Sequence, residues 1–212
     1  MTRIIYVRHG ETDWNVAHRY QGQTDIPLNN KGIHQAQLVA KRLAGEPIAA
    51  VYASDLQRAL YTAEAIAKEH HLTVTPMQEF REISFGEWEG SSFSSLDTGA
   101  REQIDKIFTD PANIEIPGGE NFHQVQERAV RGIEKLIAKH PGETIIVVSH
   151  GAAIRTILCH ALGMSLANVW AIRQDNTAVN QIAYYAPDAS MQSGAYASAI
   201  VELVNDAHHL RD

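Results

Sequence analysis

Two histidines in this 212-residue chain share one local pattern. His9 follows the apolar run Thr2 to Val7 and Arg8, and precedes Gly10; His150 ends the run Thr144 to Ser149 and precedes Gly151. A single histidine at the end of an apolar run is an ordinary hydrogen-bonded polar residue, so the repetition carries the signal. Arginine lies close by in the same pattern: Arg8 adjoins His9, and Arg58 lies one helical turn past Ser54, which closes a third run from Ala49 to Ala53. Guanidinium forks match phosphate oxygens in a bidentate way, and an imidazole can act as nucleophile where water is too weak. Gathered in one place, two arginines and two histidines make a phosphate site.

Breaking a phosphate ester also needs a general acid, because an alkoxide leaves poorly. Glu79, Glu82, Glu87 and Glu89 all offer a carboxyl, and their spacing does not choose among them. Rival chemistries lack their motifs. The chain has no phosphate loop ending in Gly-Lys-Ser/Thr, no G-x-G-x-x-G, no G-x-S-x-G and no H-E-x-x-H. His9-Gly10-Glu11 fits the start of a zinc deaminase motif, but the cysteine pair that would complete it is missing, so catalysis is expected to need no metal and no cofactor.

The elements that must carry these residues read as alternating strands and helices. The three apolar runs suit buried strands, and helical spacing follows Asn29 (Ile33, Ala36, Ala40, Leu43), Ser54 (Leu56, Ala59, Ala63, Ile66, Ala67) and Glu120 (Phe122, Val125, Ala129, Ile133, Leu136). Asn29 is a plausible N-cap, Pro117-Gly118-Gly119 a turn, and Gly151 to Gly163 a further helix. Late runs at Ala178 to Tyr185 and Tyr196 to Val204 suit closing strands. This predicts an α/β fold, a three-layer α/β/α sandwich around a mostly parallel sheet. Ligands of such sheets bind beyond the carboxyl ends of the strands, where Arg8, His9, Ser54 and His150 arrive. The start of the helix after Ser54 would hold Arg58 there beside backbone N–H groups suited to an anion. Residues 90–117 break the rhythm, with serines at 91, 92, 94 and 95 and a weak helical signal from Arg101 to Phe108, and read as a helical lid inserted in one domain spanning 1–212.

Bulk properties bound the partners. With 44% apolar and 20% charged residues the chain reads as globular, and a formal net charge of -7 argues against a nucleic-acid binder. One cysteine, Cys159, and no apolar run of membrane-spanning length point to the cytoplasm, with no membrane partner. The expected partner is a small phosphorylated metabolite; a homodimer is an open expectation.

Arg8-His9-Gly10-Glu11-Thr12 with Trp14-Asn15 resembles the signature of the histidine phosphatase superfamily, which includes cofactor-dependent phosphoglycerate mutases. The likeness continues through Tyr20-Gln21-Gly22, Ser54 to Arg58-Ala59, Thr62-Ala63, Arg81-Glu82, Phe85-Gly86, Trp88-Glu89-Gly90, Pro117 to Glu120, Ser149-His150-Gly151 and the tail Asn205 to Leu210. The resemblance implies His9 as the phosphorylated nucleophile, Arg8, Arg58 and His150 as the holders of the phosphoryl oxygens, and Glu82 as proton donor and acceptor. It also places Asn15, Gln21, Gly22 and Gly151 with the substrate-binding residues. On this reading His9 is neutral at its attacking nitrogen, His150 is protonated beside two arginines, and the tail folds toward the pocket.

The mutases resemble Glu-Arg-His-Tyr-Gly around the acid, whereas this chain runs Glu82-Ile83-Ser84-Phe85-Gly86, and residues 90–117 supply only Arg101 and Lys106 as extra cations. The expected activity is therefore a phosphatase acting on small-molecule phosphate monoesters. The alternatives are a cofactor-dependent phosphoglycerate mutase and a non-catalytic phosphate-ester sensor on the same fold.

Overall fold

The structure is a computed structural model describing residues 1–92, 98–185 and 198–211. Six strands, β1 (Thr2–Arg8), β2 (Ile48–Ala53), β3 (Val74–Pro76), β4 (Thr144–Ser149), β5 (Val179–Tyr185) and β6 (Ser198–Asp206), form one sheet in the order β3-β2-β4-β1-β5-β6. β3, β2, β4 and β1 are mutually parallel; β5 runs against β1, and β6 against β5. The sheet is thus mostly parallel, as the alternating pattern predicts. Part of the second closing run, Tyr196 and Ala197, lies outside the described residues.

Alternation along the central strands sorts their side chains onto two faces. Ile4, Tyr6, Ile145 and Val147 meet Ile133 and Leu136 of α5 (Phe122–Lys139) and Ile154 and Leu158 of α6 (Gly151–Ala161). Ile5, Val7, Ile146 and Val148 meet Val39 and Leu43 of α2 (Asn30–Leu43) and Ala63 and Ile66 of α3 (Gln57–Glu69). Helices cover both faces, which is why β4 is buried throughout and shows no polar alternation. Asn29 caps α2 by accepting the Gly32 N–H at 2.8 Å.

Within residues 90–117 lies α4 (Thr98–Thr109), whose Ile107 and Phe108 line the cavity that also holds His9. Its Ile104 and Ile107 are buried in a third apolar cluster with Ile83, Trp88, Phe122 and Val169. Ser94 and Ser95 of the serine cluster lie outside the described residues. The short helix α1 (Asp13–Val16), the edge strand β3 and several single 3₁₀ turns carry too few residues for a period to register in sequence. Among the described residues no helix is long and apolar enough to cross a membrane.

Candidate active site

Strand register builds the centre of the site. Arg8 pairs with Ser149 across the parallel β1–β4 ladder, so the next residues, His9 and His150, leave the sheet side by side. Their ring centroids are 5.1 Å apart, and both residues are buried. Thr62 of α3 fixes the turn after His9, its hydroxyl accepting the Gly10 N–H at 3.1 Å and donating to the Arg58 carbonyl at 2.8 Å. Gly10 is needed there because a Cβ would stand 2.4 Å from the Gly32 carbonyl oxygen.

Hydrogen bonds settle which nitrogens are free. His9 Nδ1 lies 2.7 Å from its neighbour's carbonyl, Gly10 O, an acceptor only. The neutral ring therefore carries its hydrogen on Nδ1 and its lone pair on Nε2. His150 is the mirror case: its Nδ1 accepts from Arg58 Nε at 3.3 Å, which puts the hydrogen on Nε2. Among the described residues that Nε2 is buried with no partner, as are Arg8 Nε and Gln21 Oε1.

Burial and nearby charge both disfavour protonated rings. Burial, then Arg58 and Arg8, push His9 well below its ordinary value, and burial, then Arg58 and His9, do the same to His150. The expectation for His9 agrees with this. The expectation of a protonated His150 does not: burial disfavours its cation first, and the nearby arginines add to that.

Arg58 is fully buried, and its nitrogens bond His150 Nδ1, the Thr24 carbonyl at 2.9 Å and the Gly22 carbonyl at 2.7 Å. Burial lowers it to about 10, so it stays a cation at neutral pH. Its place differs from the expectation in one respect. The N–H of Gln57 at the start of α3 is taken by Asp25 at 2.8 Å, so that donor is spent on a loop carboxylate. Arg8 reaches the Gln174 carbonyl at 2.6 Å.

The four candidate acids separate in space. Glu79 pairs with Lys135 at 2.7 Å, Glu87 is exposed, and Glu89 clips the Gln21 to Thr24 turn by accepting from Gln23 N, Thr24 Oγ1 and Phe85 N. Glu82 alone of the four lines a cavity of about 230 Å³ with His9, Arg8 and Arg58. Its two oxygens accept from Ala152 N and Ala153 N at the start of α6, each at 3.1 Å.

Asn15, Gln21 and Gly22 line the same cavity. Asn15 also completes the capping box of α1 with Thr12. Gly22, at φ 52°, has no room for a Cβ beside the Glu89 carboxylate. His150 and Gly151 are not among the lining residues: His150 sits fully buried beside His9, and a Cβ at Gly151 would stand 3.1 Å from Arg155 Nη1 and in ordinary contact with Arg8 Nε at 3.5 Å. Ser54 is buried and accepts from Leu56 N at 3.4 Å, a turn contact. The tail docks behind the site. Asp206 pairs with Arg42 at 2.5 Å and His209 Nε2 lies 3.1 Å from Thr177 Oγ1, while Thr177 N donates to the Arg8 carbonyl at 3.0 Å.

Several positions around the site give no sequence signal. Arg128 of α5 donates to the carbonyls of Glu79, Arg81 and Glu82 and grips Glu120 at 2.8 and 2.9 Å, fixing the segment that presents Glu82. Asn176 holds the His9 carbonyl at 3.0 Å. Arg19, Tyr20, Phe85, Ile107, Phe108 and Trp170 form the outer wall of the cavity. Tyr20 and Phe85 lie in recognisable motifs and Arg19 adjoins one; Ile107, Phe108 and Trp170 are joined to the site through contacts distant in sequence.

Residues 4–194 match the histidine phosphatase superfamily (branch 1). The chain belongs to that family. It is 33% identical to phosphoserine phosphatase 1 of Hydrogenobacter thermophilus, with 86% of each chain covered. It is 38% identical to phosphoglycerate mutase-like protein 4 of Arabidopsis thaliana, over 73% of this chain and 68% of the relative. The solved structure of Bacillus stearothermophilus YhfR superposes with a TM-score of 0.90 at 30% identity, covering all of both chains. Family and relatives together make this a phosphatase enzyme of the histidine phosphatase kind.

Proposed function

We propose that the chain hydrolyses small-molecule phosphate monoesters through a phosphohistidine on His9, with Glu82 as general acid and base. The observation that carries this reading is the pairing of one basic nitrogen with unspent donors. Gly10 O holds Nδ1 of His9 and leaves Nε2 to attack, while Arg8 Nε and His150 Nε2 are buried donors without partners. Buried donors of that kind cost stability unless a ligand uses them.

His9 Nε2 attacks phosphorus in line, the P–N bond forms, and the ester P–O bond breaks as Glu82 gives its proton to the leaving oxygen. Arg8, Arg58 and the Nε2–H of His150 hold the three remaining oxygens, placed before the charge shifts onto them. Water then attacks phosphorus, Glu82 takes its proton, and the P–N bond breaks to release phosphate and neutral His9. The cavity suits a small ester better than a protein segment, and the phosphoserine phosphatase relative is consistent with a small phosphorylated metabolite as partner. Arg101 and Lys106 are exposed and do not line the cavity, which weighs against a mutase clamp for a second anionic group.

Rapid quenching during turnover of labelled p-nitrophenyl phosphate should give an alkali-stable, acid-labile label. His9→Ala should abolish both turnover and label, and a label surviving on that variant would refute the assignment.

A further inference from the structure

The cavity changes character away from His9. We infer that the alcohol released by this enzyme carries a flat, uncharged apolar group, an inference that rests on the monoesterase reading above. Two aromatic pairs line that end: Tyr20 edge-on to Phe85 at 5.2 Å, and Phe108 beside Trp170 at 5.2 Å with planes 42° apart. Phe108 is 53% exposed although it lines the cavity. A large aromatic left in water at the mouth of a site marks a surface that gains by covering an apolar partner.

The wall is also held in place before any ligand arrives. The Trp170 indole donates to the Ile107 carbonyl at 2.5 Å and takes Phe122 edge-on at 5.8 Å. The Arg155 guanidinium sits 4.9 Å from its ring centroid, tethered in turn to the Ile172 carbonyl at 2.7 Å. A rigid aromatic wall loses little entropy on binding and offers a π-face to a planar group.

A zwitterionic amino-acid ester fits less well. Its ammonium needs a carboxylate, and among the described residues lining the cavity Glu82 is the sole acid, with both oxygens already accepting from backbone N–H groups. At the aromatic end the one lining cation is Arg19, exposed and 5.8 Å from the Trp14 ring centroid.

Esters of unactivated primary alcohols separate binding from leaving-group acidity. Phenylethyl phosphate should be hydrolysed with a specificity constant about tenfold or more above that for ethyl phosphate, mainly through tighter binding, the size expected for covering a phenyl ring. It should also be preferred over O-phosphoserine. Phe108→Ala, at a largely exposed position that spares folding, should shrink the phenylethyl-to-ethyl ratio severalfold, and Phe108→Leu should restore part of it. Equal rates for the two alkyl esters, or a preference for O-phosphoserine, would overturn the substrate class while leaving the hydrolase intact. A ratio unmoved by Phe108→Ala would overturn the role given to this wall. Failure to turn over any ester, p-nitrophenyl phosphate included, would instead bring down the monoesterase reading itself.

Discussion

β4 has a buried histidine beyond each end, and the two are treated in opposite ways. His140, ahead of the strand, has Nδ1 at 2.6 Å from Glu143 and Nε2 at 2.8 Å from the Tyr52 hydroxyl, while its carbonyl takes the Thr2 hydroxyl at 2.8 Å. Every polar atom of that ring is spent inside the protein. His150, beyond the strand, has Nδ1 fixed by Arg58 and Nε2 buried without a partner. Of the four buried orphan atoms among the described residues, three belong to the site residues Arg8, Gln21 and His150; the fourth, His70 Nε2, ends α3. A satisfied histidine is a structural pin, whereas an orphaned donor beside a second histidine is held for something else.

The sharpest test of that contrast at the carboxyl end concerns Glu82. Glu82→Gln should slow alkyl phosphates by roughly 10² to 10⁴, the usual worth of a general acid, and slow cleavage of p-nitrophenyl phosphate far less. For the activated ester the deficit moves to the water step, so stopped-flow traces should show a burst of p-nitrophenol. Equal losses on both esters without a burst would make Glu82 merely the cap of α6.

Exchanging the roles of the two histidines is the next test. His150→Ala should cost about 10² to 10³ in kcat/KM, as for a lost oxyanion donor, with melting temperature little changed. His140→Ala should cost about 1–3 kcal/mol of stability, because the buried Tyr52 hydroxyl loses the ring and keeps only Lys139 as a partner, with kcat/KM for the folded fraction near wild type. Steady-state kinetics and urea melts on both variants would expose a reversed pattern.

A smaller effect is expected from pH. His9, His150 and His209 all sit below their ordinary value of 6.5, His209 at about 4 through burial and then Arg42. The unfolded chain binds protons on these rings as pH falls below about 6.5 and the folded chain does not, so stability should decline from pH 7 toward pH 4. The urea midpoint should therefore be lower at pH 5 than at pH 7; an unchanged midpoint would mean the rings titrate normally in the fold.

How much of this is legible in the sequence follows from how local each feature is. The runs ending in Arg8-His9 and Ser149-His150 announce buried strands, and strand register alone then makes the two histidines neighbours. The roles proposed for Arg8 and His9 rest on adjacent residues and the family likeness. Glu82 cannot be told from Glu79, Glu87 and Glu89 by spacing, because what separates them is contact with α6, Lys135 and the Gln21 to Thr24 turn. For His150 the local cluster suggests a proton while burial favours the neutral ring, and burial is a property of the fold that adjacent residues do not reveal. Arg128 and Trp170 are invisible for the same reason: each acts on residues more than 40 positions away.

The central claim is that the Nδ1 bond to Gly10 O commits Nε2 of His9 to attack. It is tested most directly by trapping the phosphoenzyme, denaturing it in alkali and reading the ³¹P NMR shift of the phosphohistidine against standards substituted at each ring nitrogen. The structure predicts the Nε2 isomer alone. Phosphate on Nδ1, or no phosphohistidine in a fully active enzyme, would contradict it.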